Sequence, residues 1–312
     1  MAPVTPPAAA PAGWRAHLRL HYQLDGSGPD ARTISFDRHE GPLRVLQRLY
    51  PEGPGICHHV VVHPPGGVVG GDELRLDARL DAGTRAVITT PGATRFYRSD
   101  GALAVQQATL TLAAGARLEW LPLEAIAHPG CRAVNRVRFS LDRGAQMIGW
   151  DLLALGLPAS GETFDRGSFE QHLEWPGHWL ERGRIDAGDV ALLDGPVGLA
   201  GHRVLGTAWF ATGVALSSTG RDSLLEVARD AIATAAAAAL AAALAVKPGA
   251  EDRHHNNAVL LAGATSPQPG LVIVRVLAQR IEPALQLLAA VRAAWRLQAW
   301  GLAPNPPRVW RT

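Results

Sequence analysis

The sequence predicts a mainly β fold with two α-helices near the C-terminus. Between residue 84 and about residue 215, strand-like runs are separated by glycine turns about every ten residues. Two later segments combine high helix propensity with clear stop signals. This turn spacing favours an antiparallel or coiled all-β body, and strands do not alternate with helices as a nucleotide-binding parallel sheet requires.

The strands follow from local patterns. Residues 14–20 alternate in polarity and predict an opening strand, residues 31–50 predict another strand with a short excursion, and residues 59–62 predict a short buried strand. Residues 74–80 alternate between apolar and charged side chains with a period of two. Further strands are predicted at residues 86–90, 105–112, 117–122, 133–141, 146–154, 168–175 and 179–186.

The C-terminal third carries the two predicted helices. Alanine and leucine dominate residues 221–246, and Lys247-Pro248-Gly249 ends that helix. Two strands are predicted at residues 258–262 and 271–277, separated by a turn at residues 266–270, and a second helix at residues 282–300. Helical spacing predicts the inner face of that helix to contain Leu285, Leu288, Val291, Ala294 or Trp295, and Gln298.

We expect one folded domain after a disordered tail. Residues 1–13 are rich in proline and alanine and predict the tail; residues 14–312 form a single domain with a β body over 14–215 and a small helical part over 217–312. The tail lacks the basic and apolar regions of a signal peptide, and the apolar run at residues 231–246 is shorter than the ~20 residues of a membrane span.

The composition excludes several classes of partner. Charged residues make up 19% of the 312 residues and the net charge is +2, which predicts neither a nucleic-acid nor a membrane partner. Cys57 and Cys131 are too few for a disulfide scaffold. We therefore expect a cytoplasmic protein.

The most specific stretch is residues 63–101. It contains His63-Pro64-Pro65-Gly66-Gly67, then Gly70-Gly71-Asp72, then residues 89–99, where Thr-Thr-Pro-Gly-Ala-Thr precedes Arg95-Phe96-Tyr97-Arg98-Ser99. These motifs closely resemble those of the urease accessory protein family UreD, also called UreH, in which a lysine usually stands at the position of Arg95. Later motifs match in the same order, at residues 118–122 with Glu124, 149–150, 159–162 and 307–312. Leu123 and Leu157 depart from the family, which usually has glutamine and arginine there.

The resemblance implies more than the local patterns do. UreD proteins have a coiled, helical β-structure flanked by a small helical part. By resemblance, the chain is a non-catalytic scaffold and metallochaperone with no tightly bound cofactor, and nickel is in transit through an internal passage. The implied partners are UreF, the GTPase UreG through UreF, and the urease apoprotein subunits, with a possible dimer within the accessory complex.

Six residues are candidates for contact with nickel. Cys57 and His63 lie close to His58 and His59, and thiolate with imidazole suits nickel or zinc, although the spacing does not match a closed structural site. The carboxylates within the matching motifs are Asp72, Glu119, Glu124 and Glu162. Oxygen ligands bind a divalent ion weakly enough for transit. For each carboxylate alone, an arginine partner or a turn is the simpler role, and for Asp72 that role is an Asx turn or cap.

Aromatic and arginine residues mark candidate partner contacts. They are Phe96, Tyr97, Arg98, Arg308 and Trp310, residue types that are enriched at protein interfaces. The alternatives are core packing for Phe96 and a docked terminus for Trp310.

Catalysis finds little support in the sequence. Ser160-Gly161-Glu162 lacks the strand-turn-helix context of a nucleophile elbow, and Pro248 follows the only lysine, which excludes a phosphate-binding loop. Two alternatives stay open. One is a β-solenoid-like hydrolase or lyase using Asp72 and Glu162 as paired acids, and the other is a purely structural partner without a metal passage.

Overall fold

Two β-sheets that pack face to face form the body of the protein. The computed structural model describes residues 13–157, 160–244 and 260–311. Residues 1–12 of the tail predicted over 1–13, residues 245–246 of the first predicted helix and residues 258–259 of the strand predicted at 258–262 lie outside the described residues. Sheet A contains β1 (Arg15–Asp25), β2 (Arg32–Glu40), β5 (Glu73–Leu80), β8 (Ala104–Leu112), β11 (Arg132–Leu141), β14 (Ser168–Trp175) and β15 (Trp179–Asp186).

Sheet B lies opposite sheet A. Its main strands are β3 (Arg44–Leu49), β4 (Cys57–Val62), β6 (Arg85–Thr89), β9 (Arg117–Leu121), β12 (Gln146–Leu157), β16 (Val204–Thr212), β17 (Leu261–Gln268) and β18 (Leu271–Ala278). Three short strands pair beside β12: β7 (Thr94–Phe96), β10 (Ala125–Ala127) and β13 (Glu162–Thr163).

The chain coils between the two sheets. It passes from β5 to β6, from β8 to β9 and from β11 to β12, and successive strands pair in parallel within each sheet. Each passage from sheet A to sheet B is a tight turn in which Gly83, Gly115 or Gly144 has a positive φ, a conformation that glycine adopts without strain. This coil confirms the predicted mainly β, helical β-structure.

The coil has two different ends. The tight turns lie together at one end, here called the turn end. The returning connections are longer and lie at the other end, here called the loop end; they comprise residues 63–72, 90–103, 122–131 and the segment between Leu157 and Ser168. Each returning connection carries one of the motifs singled out in the sequence.

Two helices, α2 (Ser218–Leu244) and α3 (Ile281–Trp300), cover the outer face of sheet B. The short helix α1 (Val190–Asp194) instead buries Leu193 in the core between the sheets. A first core fills the space between the sheets, and a second lies between sheet B and the helices, where Leu288, Val291 and Trp295 of α3 are fully buried. No helix in the described ranges is long and apolar enough to span a membrane.

Several local predictions need correction. Residues 31–50 form two strands, β2 and β3, and α1 had no signal in the sequence analysis. The strand predicted at 258–262 is instead β17, which runs through the predicted turn at Ser266 and shifts its pairing between Thr265 and Gln268. The central coils pair in parallel, whereas β12, β16, β18 and β17 of sheet B pair with one another antiparallel, as do the edge pairs β1 with β2, β14 with β15 and β3 with β4.

Candidate functional site

A cavity of about 240 Å³ lies between the two sheets beneath the loop end. Exposed residues of two returning connections line its opening, among them Gly66, Gly92 and Arg95. The cavity therefore reaches the surface between the two motifs that carry the family resemblance.

Asp151 of β12 is the charged group deepest in this cavity. Its carboxylate accepts a hydrogen bond from Asn135 Nδ2 at 2.7 Å and another from Gln171 Nε2. Gln106 Nε2 extends the chain of carboxamides by donating to Asn135 Oδ1 at 3.3 Å. Within the described ranges no basic side chain pairs with Asp151, and burial raises its pKa to about 6.

His63 contributes a second polar group to the cavity wall. Its Nε2 atom is buried and has no hydrogen-bond partner among the described residues. Burial lowers the pKa of its imidazole, which keeps the ring neutral at neutral pH. A neutral imidazole nitrogen is a donor for a borderline divalent cation.

Asp72 has a structural role in the loop end. Trp14 N donates to Asp72 Oδ1 at 2.7 Å, and Val69 N donates to Asp72 Oδ2 at 2.9 Å. Each carboxylate oxygen thus accepts one backbone N–H, and Asp72 links the segment that precedes β1 to the segment that precedes β5. These bonds give Asp72 a structural role at the turn, but both donors precede it in the chain, so the turn is not the Asx turn or cap predicted as an alternative.

We expect Asp72→Ala to lower the free energy of unfolding by about 2 kcal/mol, because two partly buried backbone N–H groups lose a charged acceptor. Urea denaturation at neutral pH measures this change. Asp100→Ala is the matched control, since Asp100 is an exposed carboxylate on the same end of the coil. An equal effect of the two substitutions would contradict this structural role.

Glu119 lies on the other side of sheet B, facing α3. Its Oε2 accepts from Arg292 Nε at 2.6 Å and its Oε1 accepts from Arg296 Nη1. Arg296 Nη2 also pairs with Glu52, which binds His58 Nε2 at 2.9 Å. All of these groups are largely buried, and two carboxylates face two guanidinium groups, so the network carries no net charge when His58 is neutral.

The arginines of this network also hold the C-terminal segment. Arg292 Nη1 donates to the carbonyl oxygen of Pro304 at 2.6 Å, and Arg296 Nε donates to that of Ala303 at 2.9 Å. Sequence reasoning missed both arginines. The available signal was their spacing of four residues, which places them together on one face of α3.

The remaining metal candidates are dispersed. Cys57 is buried at 3.8 Å from Ser35 Oγ, and burial raises the pKa of its thiol. Glu162 accepts from His128 Nδ1 at 2.8 Å, and Glu124 is half-buried with its pKa raised by burial. Across the described ranges, no three histidine, cysteine or acidic side chains converge to hold a metal ion.

The aromatic candidates divide between core and surface. Phe96 is buried edge-on against Phe169 at 5.3 Å between ring centres, whereas Tyr97 and Arg98 are exposed at the loop end. Trp310 is docked, since its Nε1 donates to Thr89 Oγ1 at 2.8 Å and its ring packs on Trp150. Arg308 is exposed on the same C-terminal segment.

Comparison with known proteins agrees with this architecture and these motifs. The profile of the UreD urease accessory protein family matches residues 15–311. The chain belongs to the UreD family. The UreD protein of Leptothrix cholodnii is 56% identical over 299 residues, covering 96% of this chain and 99% of that protein. Those of Methylibium petroleiphilum and Paracidovorax citrulli are 52% identical over 314 residues and 51% over 297, covering 96% and 95% of this chain and 99% of each relative.

Membership of the UreD family decides between an enzyme and an accessory protein. Its relatives are named urease accessory proteins, which are chaperones rather than enzymes. The chain is thus a urease accessory protein, and the hydrolase or lyase alternative is wrong. The structure gives a physical reason, because Asp72, one of the two proposed acids, has both oxygens occupied by backbone donors.

Proposed function

We propose that this UreD protein passes nickel to the urease apoprotein through the cavity between its two sheets. It does so as a cytoplasmic scaffold that binds UreF, and through UreF the GTPase UreG. The observation that supports the passage is Asp151, a buried carboxylate that lines a cavity open to the surface and pairs with no basic side chain among the described residues.

The chemistry of the cavity wall suits an ion in transit. Its donors are the carboxylate of Asp151, the carboxamides of Gln106 and Asn135, hydroxyl groups such as that of Thr90, and the imidazole of His63. Oxygen ligands replace the hydration shell of a divalent cation without the tight binding that thiolates give. Cys57, the thiol closest in sequence to His63, does not line the cavity.

The proposal divides the predicted metal candidates by position. Asp72 and Glu119 have both carboxylate oxygens bonded to groups of the protein, so their role is to stabilise the coil. Asp151 and His63 contact the ion inside the cavity. Glu124 and Glu162 lie at the loop end, where the ion passes between this chain and a partner.

Asp151→Asn tests the passage. We expect urease activation in cells at limiting nickel to fall about tenfold, because the neutral carboxamide attracts the cation less, and excess nickel to restore it. Retention of UreF and urease apoprotein on the tagged variant is expected to equal that of the wild type.

Asp100→Asn is the control, since it removes an exposed carboxylate at the same end of the coil and is expected to leave activation unchanged. Full activation by Asp151→Asn at limiting nickel would leave only the purely structural partner without a metal passage. Loss of UreF or urease from that variant would instead place the defect in assembly and also contradict the proposal.

A further inference from the structure

Trp310 of the C-terminal segment lies against the cavity wall from the outside. It is half-buried and packs on the core between sheet B and the helices, with its ring 5.3 Å from that of Trp150. Its Nε1 atom donates to Thr89 Oγ1 at 2.8 Å. Thr89 is the last residue of β6 and lines the cavity, so Trp310 is one hydrogen bond away from the wall of the proposed passage.

The bond from Trp310 fixes the direction of the Thr89 hydroxyl group. An indole N–H can only donate, so the Thr89 oxygen accepts from it. The hydroxyl proton is then directed to the carbonyl oxygen of Leu121, which lies 2.6 Å away on the neighbouring strand β9. Thr89 is only 3% exposed, so bulk water has little access to either bond. The tryptophan thereby fastens β6 to β9 at the point where both strands end.

Two further bonds fix the connections that follow these strands. Leu123 N donates to Thr90 Oγ1 at 2.9 Å, which joins the connection after β9 to the connection after β6. Trp150 Nε1 donates to the carbonyl oxygen of Pro122 at 2.6 Å. Thr90 and Pro122 line the cavity, as Thr89 does. These bonds and that of the Thr89 hydroxyl group together fix one side of the cavity.

The buried ion-pair network holds Trp310 in turn. The guanidinium carbon of Arg292 lies 5.8 Å from the centre of the Trp310 ring, and Arg292 Nη1 donates to the carbonyl oxygen of Pro304 at 2.6 Å. Glu119 positions Arg292 through the ion pair at 2.6 Å. The network therefore places the C-terminal segment, and the segment places the Thr89 hydroxyl group.

We propose that Trp310 is a positioning residue of the nickel passage. By orienting the Thr89 hydroxyl group, it keeps Thr90 and Pro122 in the arrangement that an ion meets inside the cavity. This inference rests on the proposed function. Groups that do not touch a metal ion but orient those that do commonly change its binding tenfold or more when they are lost.

Trp310→Phe tests this role, because phenylalanine keeps an aromatic ring against Trp150 and removes the N–H donor. We expect urease activation in cells at limiting nickel to fall about fivefold, and excess nickel to restore it. Thr89→Val removes the acceptor of the same bond at nearly equal volume, so we expect a similar loss. The double variant is expected to lose no more than about twofold beyond either single variant, because both substitutions remove one interaction.

Trp300→Phe is the matched control. Trp300 is also a half-buried tryptophan, and its Nε1 donates to Gln146 Oε1, again at 2.8 Å. Gln146 begins β12 and does not line the cavity. We expect Trp300→Phe to lower the urea midpoint as much as Trp310→Phe does and to leave activation within about twofold of the wild type. Equal loss of activation in the two variants would reduce the effect to stability and overturn the positioning role.

Retention of partners separates positioning from docking. Tagged Trp310→Phe is expected to retain purified UreF and purified urease apoprotein as well as the wild type does. Loss of either partner would make Trp310 a contact with that partner and overturn the proposal.

Comparison with Asp151→Asn separates this inference from the passage itself. Poor activation by Asp151→Asn together with wild-type activation by Trp310→Phe at limiting nickel would overturn the positioning role and leave the passage intact. Full activation by Asp151→Asn would contradict the passage, and with it this inference, whatever the result for Trp310→Phe. A loss in Trp310→Phe that excess nickel does not restore would also overturn the positioning role.

Discussion

Replacing Glu119 by alanine is expected to lower the free energy of unfolding by about 3–5 kcal/mol. Glu119 is the carboxylate shared by Arg292 and Arg296, and all three side chains are at most 3% exposed. Without it, Arg292 keeps only carbonyl oxygens and the Trp310 ring as partners among the described residues, and Arg296 keeps Glu52 and a carbonyl. A buried guanidinium that loses its counter-ion carries a desolvation cost that nothing in the core offsets.

Urea denaturation followed by circular dichroism measures this loss. Glu282→Ala is the matched control, because Glu282 is an exposed residue of the same helix, paired with Arg280 at 3.3 Å. We expect its effect to stay within about 0.5 kcal/mol. Similar small effects of both substitutions would show that the buried network does not stabilise the fold.

The same substitution is expected to loosen the C-terminal segment. Arg292 and Arg296 hold the carbonyl oxygens of Pro304 and Ala303, and both arginines are positioned by Glu119. Trypsin is therefore expected to cleave after Arg308 faster in Glu119→Ala than in the wild type under native conditions. Unchanged cleavage would show that the segment is held by Trp310 alone.

The strands were predictable because each buries one side of an alternating pattern. In β5 the apolar residues Leu74, Leu76 and Leu80 are buried between the sheets, as their period of two predicts. Gly83 and Gly115 mark the tight turns because their positive φ is costly for other residues. These signals are local, and the strands and tight turns of the structure follow them.

The order of the strands in each sheet and the chemistry of the site were harder to predict from the sequence. Alternation does not reveal whether strands pair in parallel, so the coil came from the family resemblance. Helical spacing predicts Gln298 on the inner face of α3, but Gln298 is exposed. Arg292 and Arg296 are buried on that face instead. Their partner Glu119 is more than 170 residues away in sequence, a pairing that helix periodicity does not encode.

Asp151 had one sequence signal that was not used. It is the only charged residue of the otherwise largely apolar strand β12, which is buried along nearly its whole length. An ionisable residue in such a strand must be paired, hydrated or neutral. The motif-based prediction does not include Asp151, because the matching motif, Gly149-Trp150, ends one residue before it.

Asp151→Asn is expected to change the pH dependence of stability by about 3 kcal/mol. Burial raises the pKa of Asp151 to about 6 in the folded protein, against 3.8 for an ordinary aspartate, and the nearby charge of Glu181 acts in the same direction. Between these two values the folded state retains a proton that the unfolded state has lost. Stability due to this group therefore falls as the pH rises through that window and is constant above about pH 6.

The size of this effect follows from the difference of about two pKa units, at 1.36 kcal/mol for each. Asparagine does not ionise, and like the protonated acid it leaves one of the two carboxamide donors, Asn135 or Gln171, without a carboxylate oxygen. The stability of Asp151→Asn relative to the wild type should thus rise by about 3 kcal/mol from about pH 4 to about pH 7.

Urea denaturation of both proteins across that pH range, with a chelator present, measures the difference directly. Titration of all other groups is shared by the two proteins and cancels. Asp100→Asn is expected to show a constant difference from the wild type, because Asp100 is exposed. A constant difference for Asp151→Asn as well would mean that the cavity keeps this carboxylate as well solvated as water does. The desolvation that raises the pKa of Asp151 is also what makes an unpaired carboxylate favour a metal ion. Without that desolvation, Asp151 would attract a passing cation no more strongly than any surface carboxylate does.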